Sequence, residues 1–151
     1  MPEAWRIIKE KRAATAFTGD GAAKTGGRWN SRGVSVVYTS STKSLATLEN
    51  LVHLNPPVTF TYVAFPLKFD DALLEVFPIK NLPADWRTEP PPPSTKAIGD
   101  GWVKASSSAV LALPSVISGE TNYLLNPAHP DFKKITIGKP EPFVFDPRLL
   151  T

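Results

Sequence analysis

Residues 34–54 read VSVVYTSSTKSLATLENLVHL, and the change of texture inside this stretch decides the fold class. Val34-Ser35-Val36-Val37-Tyr38 is rich in branched and aromatic side chains that fit a pleated sheet, so it reads as a strand. Ser40, Ser41 and Thr42 follow, and each can cap a helix by accepting a hydrogen bond from its first free N–H groups. From Ser44 to Leu54 the period becomes helical. Leu45, Leu48 and Val52 form one apolar stripe that Leu51 and Leu54 broaden, and Pro56 and Pro57 end it. A strand running directly into a helix is the organising unit.

Downstream, Val58 to Phe69 alternates Phe60, Tyr62 and Ala64 against Thr59, Thr61, Val63 and Phe65, the period of two expected of a strand. Asp70 and Asp71 begin a turn, and Ala72 to Phe77 reads as another short strand. Pro83, Pro90, Pro91, Pro92 and Pro93 make residues 78–101 a connection, with one helical turn from Pro83 and polyproline II geometry over the four consecutive prolines. A second helix is expected from Gly101 to about Ala109. Val110 to Leu113 then reads as buried, and Ser115-Val116-Ile117, Leu124-Leu125, Ile135-Thr136-Ile137 and Phe143-Val144-Phe145 are short apolar or alternating runs between turns. Upstream, Gly19, Gly21, Gly26, Gly27 and Gly33 fit either an ordered irregular ligand loop or plain surface turns. The expectation is a single α+β domain over residues 1–151, with small mixed or antiparallel sheets and surrounding helices.

Composition narrows the function classes. The chain has 151 residues, 42% of them hydrophobic, enough to bury a core and to exclude a mostly disordered protein. There is no cysteine, which removes disulfides, thiolate nucleophiles and zinc–thiolate sites together. No apolar run is long enough to span a bilayer, and MPEAWRIIKEKR places charges where a secretory leader needs an apolar core, so a cytoplasmic location without membrane contact is expected. The formal charge of +3 is unevenly spread, at +4 over residues 1–50, −2 over 51–100 and +1 over 101–151. That N-terminal excess suits an anionic ligand or an acidic partner, or a merely solvated flank. With no helix-turn-helix, zinc-finger spacing or arginine run, direct nucleic-acid contact is not expected.

The densest polar constellation is Gly26-Gly27-Arg28-Trp29-Asn30, then Tyr38 at a strand end, then Glu49 in the following helix. Arg28 offers a planar fork for a phosphate, and the two glycines allow a ligand close to the backbone. Neither a Walker loop nor a dinucleotide fingerprint is present. Glu49, at the margin of the apolar stripe beside Ala46 and His53, can line a cleft and stabilise a developing cation, or pair with His53. Tyr38 is a substrate contact or a core aromatic, and Trp29 a ligand contact or a packed anchor. Ser115 sits outside any nucleophile elbow and reads as a ligand-binding serine. His53 and His129 lie far apart in sequence without a ligand motif, so no metal site is expected.

Taken in order, Trp5-Arg6, Gly26-Gly27-Arg28-Trp29-Asn30, Tyr38, Ala46-Thr47-Leu48-Glu49, Pro114-Ser115-Val116-Ile117, Asn122-Tyr123-Leu124-Leu125-Asn126-Pro127 and His129-Pro130-Asp131-Phe132 closely resemble the RES-domain family. That family is the toxin component of bacterial RES-Xre toxin-antitoxin pairs, and its Arg, Glu and Ser align with Arg28, Glu49 and Ser115. The resemblance implies a fold of the ADP-ribosyltransferase and diphtheria-toxin type. It also implies an enzyme that cleaves the nicotinamide–ribose bond of NAD+, with water or inorganic phosphate as acceptor and a protein acceptor in some relatives. It implies a cognate Xre-type antitoxin that blocks the active site. The chemistry of the residues is compatible with this. Glu49 would stabilise the ribose cation, Arg28 would hold the diphosphate, Tyr38 would orient the nicotinamide or the adjoining ribose, Trp29 would be a further contact to the dinucleotide, and Ser115 and Asn122 would complete the pocket. NAD+ is then substrate, with no cofactor or metal required. The non-enzymatic alternative is an anion-binding or interaction domain that uses the basic N-terminal region.

Overall fold

The structure, a computed structural model, describes residues 1–54 and 60–150. Its elements are β1 (Glu3–Lys9), α1 (Asp20–Thr25), β2 (Val37–Ser40), α2 (Lys43–Leu51), β3 (Tyr62–Lys68), β4 (Leu74–Val76), α3 (Pro93–Ala105), β5 (Val110–Pro114), β6 (Thr121–Leu125), β7 (Thr136–Ile137) and β8 (Glu141–Phe143). The strands form one mixed sheet in the order β4-β5-β6-β2-β1-β3-β7, with β8 also on β3. Pairing is antiparallel except between β4 and β5, which run parallel. The α+β class expected from the sequence is the class observed.

Because side chains alternate across a strand, the register decides what each face carries. One face gathers Ala4, Val37, Val63, Phe65, Leu67, Val110 and Leu125 into a continuous apolar core. The opposite face is divided. Leu111, Leu113 and Leu124 pack with Trp29, Val36 and Trp102 at one end, and Ile7, Ala46, Tyr62, Ala64 and Phe145 pack at the other. The rung Trp5, Ser40, Asn122 and Leu113 runs across β1, β2, β6 and β5 on this divided face. Trp5↔Ser40 is also the one register pair that β1 and β2 share, so the sheet is split beyond it.

Several boundaries differ from the sequence reading. The first expected strand moves on to Val37–Ser40, because the Val34 carbonyl is tied instead to the buried Asn30 amide. The helix after it is capped by Thr42, whose Oγ accepts from the Leu45 N–H at 3.0 Å, and it ends at Leu51 rather than Leu54. Its expected stripe is rotated. Leu45 and Ala46 are buried, whereas Leu48 and Val52 are exposed, a turn of the helix that brings Glu49 inward. The second helix begins at Pro93 rather than Gly101 and ends at Ala105 rather than near Ala109. Proline is tolerated at the first helical position, where its missing N–H would have no partner, so the proline run leads into the helix. Pro92 keeps extended geometry, at φ −78° and ψ 159°. Residues 83–86 close a hydrogen-bonded turn, from the Trp86 N–H to the Pro83 carbonyl at 3.1 Å. Of the strand expected over 58–69, β3 covers Tyr62–Lys68, and Val58 and Thr59 lie outside the described residues. Ser115–Ile117 is a turn rather than a run of strand, and the run at 143–145 contributes only Phe143 to β8. The first strand, Glu3–Lys9, was not expected from its charged sequence.

Helix α3 packs so closely on the 26–31 loop that a methyl group at Gly99 would lie 1.6 Å from the Trp29 carbonyl oxygen, whereas Gly101 on the same helix faces open space. The atoms met at position 99 are not flexible side-chain ends, so the helix must move. Gly99→Ala is therefore expected to lower stability by about 3 kcal/mol. Gly101→Ala is expected to raise it by about 0.5–1 kcal/mol through helix propensity. Urea unfolding of both variants beside the parent checks the pair, and equal midpoints would contradict the packing described here.

Candidate active site

The divided face brings one polar group to its centre. Glu49 reaches from α2 across to β6 and to the turn after β5. Its Oε2 accepts from Ser115 Oγ at 2.9 Å and from the Asn122 side-chain amide. The same Asn122 amide accepts from Ser40 Oγ at 2.8 Å, so β2 fixes which end of the amide faces Glu49. Ser115 continues the face of Leu111 and Leu113 past the end of β5. Its hydroxyl accepts from the N–H groups of Ile117 and Ser118, and the turn closes through Ser115 N–H to the Glu120 carbonyl at 2.7 Å. Gly119 stands in that turn at φ +77°, a left-handed conformation that a side chain would strain. With its lone pairs taken by amides and its proton given to Glu49, Ser115 is a donor to the carboxylate and not a nucleophile. Among the described residues Glu49 makes no ion pair, and its Oε1 has no hydrogen bond.

A second group is organised by Tyr38, two residues before Ser40 on the same face of β2. Its hydroxyl donates to Asn30 Oδ1 at 2.6 Å and accepts from the Trp29 N–H at 3.1 Å. Burial is the main reason the Tyr38 hydroxyl titrates far above the usual phenol range; Asp100 adds to the rise, and the Trp29 N–H and Arg28 oppose it. Tyr38 is therefore a neutral donor at any physiological pH. Asn30, wholly buried, spends its amide hydrogens on backbone carbonyls, with Ala22 at 2.9 Å and Val34 at 3.0 Å. Gly27 must lack a side chain, since a Cβ would sit 2.6 Å from the Tyr38 hydroxyl oxygen.

The remaining sequence candidates take different places. Trp29 is 4% exposed and its ring belongs to the apolar cluster, so the structure makes it a packed anchor. Arg28 turns its fork to the segment before α3. Nη1 donates to the carbonyls of Trp86 at 2.9 Å and Thr88 at 2.8 Å, and Nη2 to Glu89 at 2.6 Å. His53 is exposed, and His129 Nδ1 accepts from the Asp131 N–H as a turn cap, so neither joins the site. Among the described residues no three His, Asp or Glu side chains cluster as a metal site would require. An apolar groove between Phe60 and residues 142–145 shares no residue with the polar groups above.

Sequence reasoning missed Arg6. It lies on β1 where the sheet splits, donating from Nε to the Ala16 carbonyl at 2.7 Å and from Nη1 to the Tyr38 carbonyl at 2.9 Å. Burial without a carboxylate partner lowers its pKa to about 10. Among the described residues its Nη2 has no hydrogen-bond partner. Lys96 and Asp100, one turn apart on α3, were missed as well. Lys96 Nζ donates to the Gly27 carbonyl at 2.8 Å, and Asp100 accepts from the N–H of Ser31 at 2.8 Å and from its hydroxyl. They grip the loop at both ends.

These placements can be set against known proteins. The RES domain model matches residues 3–146. The chain belongs to the RES domain family. It is 37% identical over 148 residues to Toxin Res of Yersinia enterocolitica, covering 96% of this chain and 97% of that protein. It is 40% identical over 153 residues to the Prs ADP-ribosylating toxin of a Sphingobium species, covering 97% and 95%. Among solved structures, the M. tuberculosis MbcT-MbcA toxin-antitoxin complex contains a chain with the same fold, at a TM-score of 0.75 and 15% identity, over 94% of this chain and 84% of that one. Within the RES fold seen here, no helix of the described residues is long and apolar enough to cross a membrane.

Tyr38→Phe would remove one hydroxyl and leave Asn30 Oδ1 and the Trp29 N–H unpaired in a buried place. The expected cost is about 1–3 kcal/mol of unfolding free energy. Denaturant titration checks it, and a variant as stable as the parent would show that the Tyr38 hydroxyl does not hold the loop.

Proposed function

We propose that this RES-domain chain is the toxin of a toxin-antitoxin pair and that it depletes NAD+ by cleaving the nicotinamide–ribose bond, with water as the acceptor. The observation that carries the reading is Glu49, a carboxylate without a cation beside it, pinned through one oxygen by Ser115 and Asn122, with its other oxygen unengaged among the described residues. Such a group is preorganised for a cation that appears only as the bond breaks. When the C–N bond of NAD+ opens, the electron pair leaves with nicotinamide and the positive charge passes to the ribose. Glu49 stabilises that charge. Water then adds to the ribose carbon and loses a proton, giving ADP-ribose. Arg28, on the loop that the Tyr38 hydroxyl holds, suits the diphosphate. Tyr38 aligns the nicotinamide end from β2.

The names of the relatives favour a toxin, and the structural neighbour's complex favours an antitoxin partner, here an Xre-type protein that covers the cleft. Inorganic phosphate in place of water would give ADP-ribose 1-phosphate from the same bond-breaking residues. A protein acceptor is the second reading, supported by the 40% identical relative named as an ADP-ribosylating toxin. All three share the carboxylate.

The test uses Glu49→Gln, which keeps the length of the side chain and its acceptor oxygen and removes the charge. Single-turnover release of nicotinamide at saturating NAD+ is expected to fall by about 10²–10³, equivalent to about 3–4 kcal/mol, while NAD+ affinity changes little. Quantifying nicotinamide, ADP-ribose and ADP-ribose 1-phosphate with and without phosphate separates the acceptors. Near-normal release by folded Glu49→Gln would reject the assignment. For the partner, a competition titration should show antitoxin lowering NAD+ binding, and simultaneous full-affinity binding of both would exclude occlusion of the cleft.

A further inference from the structure

We infer that Glu89 is a resident counter-anion of Arg28, and that it sets the affinity of the site by occupying the position a ligand phosphate would take. The inference rests on the proposed role of Arg28 as a diphosphate clamp. The guanidinium of Arg28 donates to two backbone carbonyls and to one charged partner. The carbonyl bonds from Nη1, to Trp86 and Thr88, orient the fork. The carboxylate on Nη2 is different in kind. The Arg28 side chain is 14% exposed and that of Glu89 73% exposed, so the carboxylate approaches a nearly enclosed fork from the solvent side. A rotation about its own side-chain bonds takes Glu89 into water, with no movement of the backbone.

The neighbouring chain holds Glu89 at that position. Trp86 packs against the apolar cluster, Ser94 Oγ donates to Asp85 at 2.6 Å across the base of the segment, and α3 starts at Pro93. Tethered this way, the carboxylate is always present beside Arg28, and an incoming anion must compete with it. A phosphate competes well because it brings more charge and more acceptor oxygens to the same fork. A neutral ligand gains nothing from displacing Glu89. The device therefore favours diphosphate-bearing ligands and holds back weaker anions.

The experiment compares the parent, Glu89→Gln, Arg28→Ala and the double variant, reading the KM for NAD+ and the Kd for inorganic pyrophosphate by titration calorimetry. The amide oxygen introduced by Glu89→Gln can still accept from Nη2 but carries no charge. Both constants are expected to fall about two- to fivefold in Glu89→Gln, the range of an exposed ion pair, and to be insensitive to the second change once Arg28 is replaced by Ala. Glu89→Ala should shift them in the same direction. Constants that stay level or rise in Glu89→Gln would overturn the inference and make Glu89 a support for Arg28. If the parent releases no nicotinamide yet Glu89→Gln binds pyrophosphate more tightly than the parent does, the NAD+ reading fails and the counter-anion stands. If the parent is active and neither constant moves, the counter-anion fails alone.

Discussion

The register between β2 and β6 is the constraint on which the site depends. Ser40 opposes Asn122 and Tyr38 opposes Leu124, so the hydroxyl of Ser40, the amide of Asn122 and the ring of Tyr38 share one face of the sheet. A slip of β2 by one residue would send Ser40 and Tyr38 to the opposite face, into the continuous apolar core, and part them from Asn122. The slip is prevented from that side, since Val37 and Leu125 are buried there and Val37 would be exchanged for a polar group. Hydrophobic burial on one face thus fixes polar chemistry on the other. The same logic extends across β5, where Leu111 and Leu113 align Ser115 with Asn122.

The divided face supplies the second requirement, a place where a carboxylate can be held without being neutralised. Apolar packing at either end anchors α2 through Leu45 and Ala46 and anchors the 26–31 loop through Trp29. Between these anchors the polar row needs no cation, because two neutral donors satisfy one oxygen of Glu49. A Lys or Arg in the place of Asn122 would have satisfied it more strongly and removed the charge that the proposed chemistry needs. Rigidity comes from neighbours that spend their own hydrogen bonds on backbone: Asn30 on Ala22 and Val34, Asp100 on Ser31, Lys96 on Gly27. These are groups that ligand binding need not disturb.

Much of this was legible in the sequence wherever a period ran long enough. The strand-to-helix unit over 34–54 showed itself where branched and aromatic strand formers give way to a period of 3.6, with the cap among Ser40, Ser41 and Thr42. Glu49 stood out as a carboxylate at an apolar margin, but Ser115 and Asn122 could be joined to it only through the family resemblance, because pairing across 66 and 73 residues of chain is a property of register. Arg6 was hidden by its setting. The family resemblance reaches Trp5-Arg6 without giving Arg6 a role, whereas a cation at the core-facing position of an alternating strand was the signal available. Lys96 and Asp100 went unseen because the proline run disguised the start of α3; once Pro93 is taken as the first helical residue, their i, i+4 spacing puts them on one side facing the loop.

The electrostatic layout follows from which elements supply the charged side chains. Arg28 and Lys96 come from the loop around the Tyr38 hydroxyl and the helix that grips it, whereas Arg6 stands on the opposite, core-facing side of β1 and reaches only the Tyr38 carbonyl. Glu49 comes from α2 on the same face as the Tyr38 ring. Arg6 and Arg28 both fall in residues 1–50 and so belong to the N-terminal excess of positive charge seen in the sequence. Under the proposed function the anionic middle of the dinucleotide would lie toward Arg28 and its nicotinamide end toward Glu49. In the proposed reaction the positive charge would pass from the ring to the ribose as the bond breaks, so Glu49, held through one oxygen by two neutral donors, would act on the charge that develops at the ribose carbon while Arg28 holds the diphosphate.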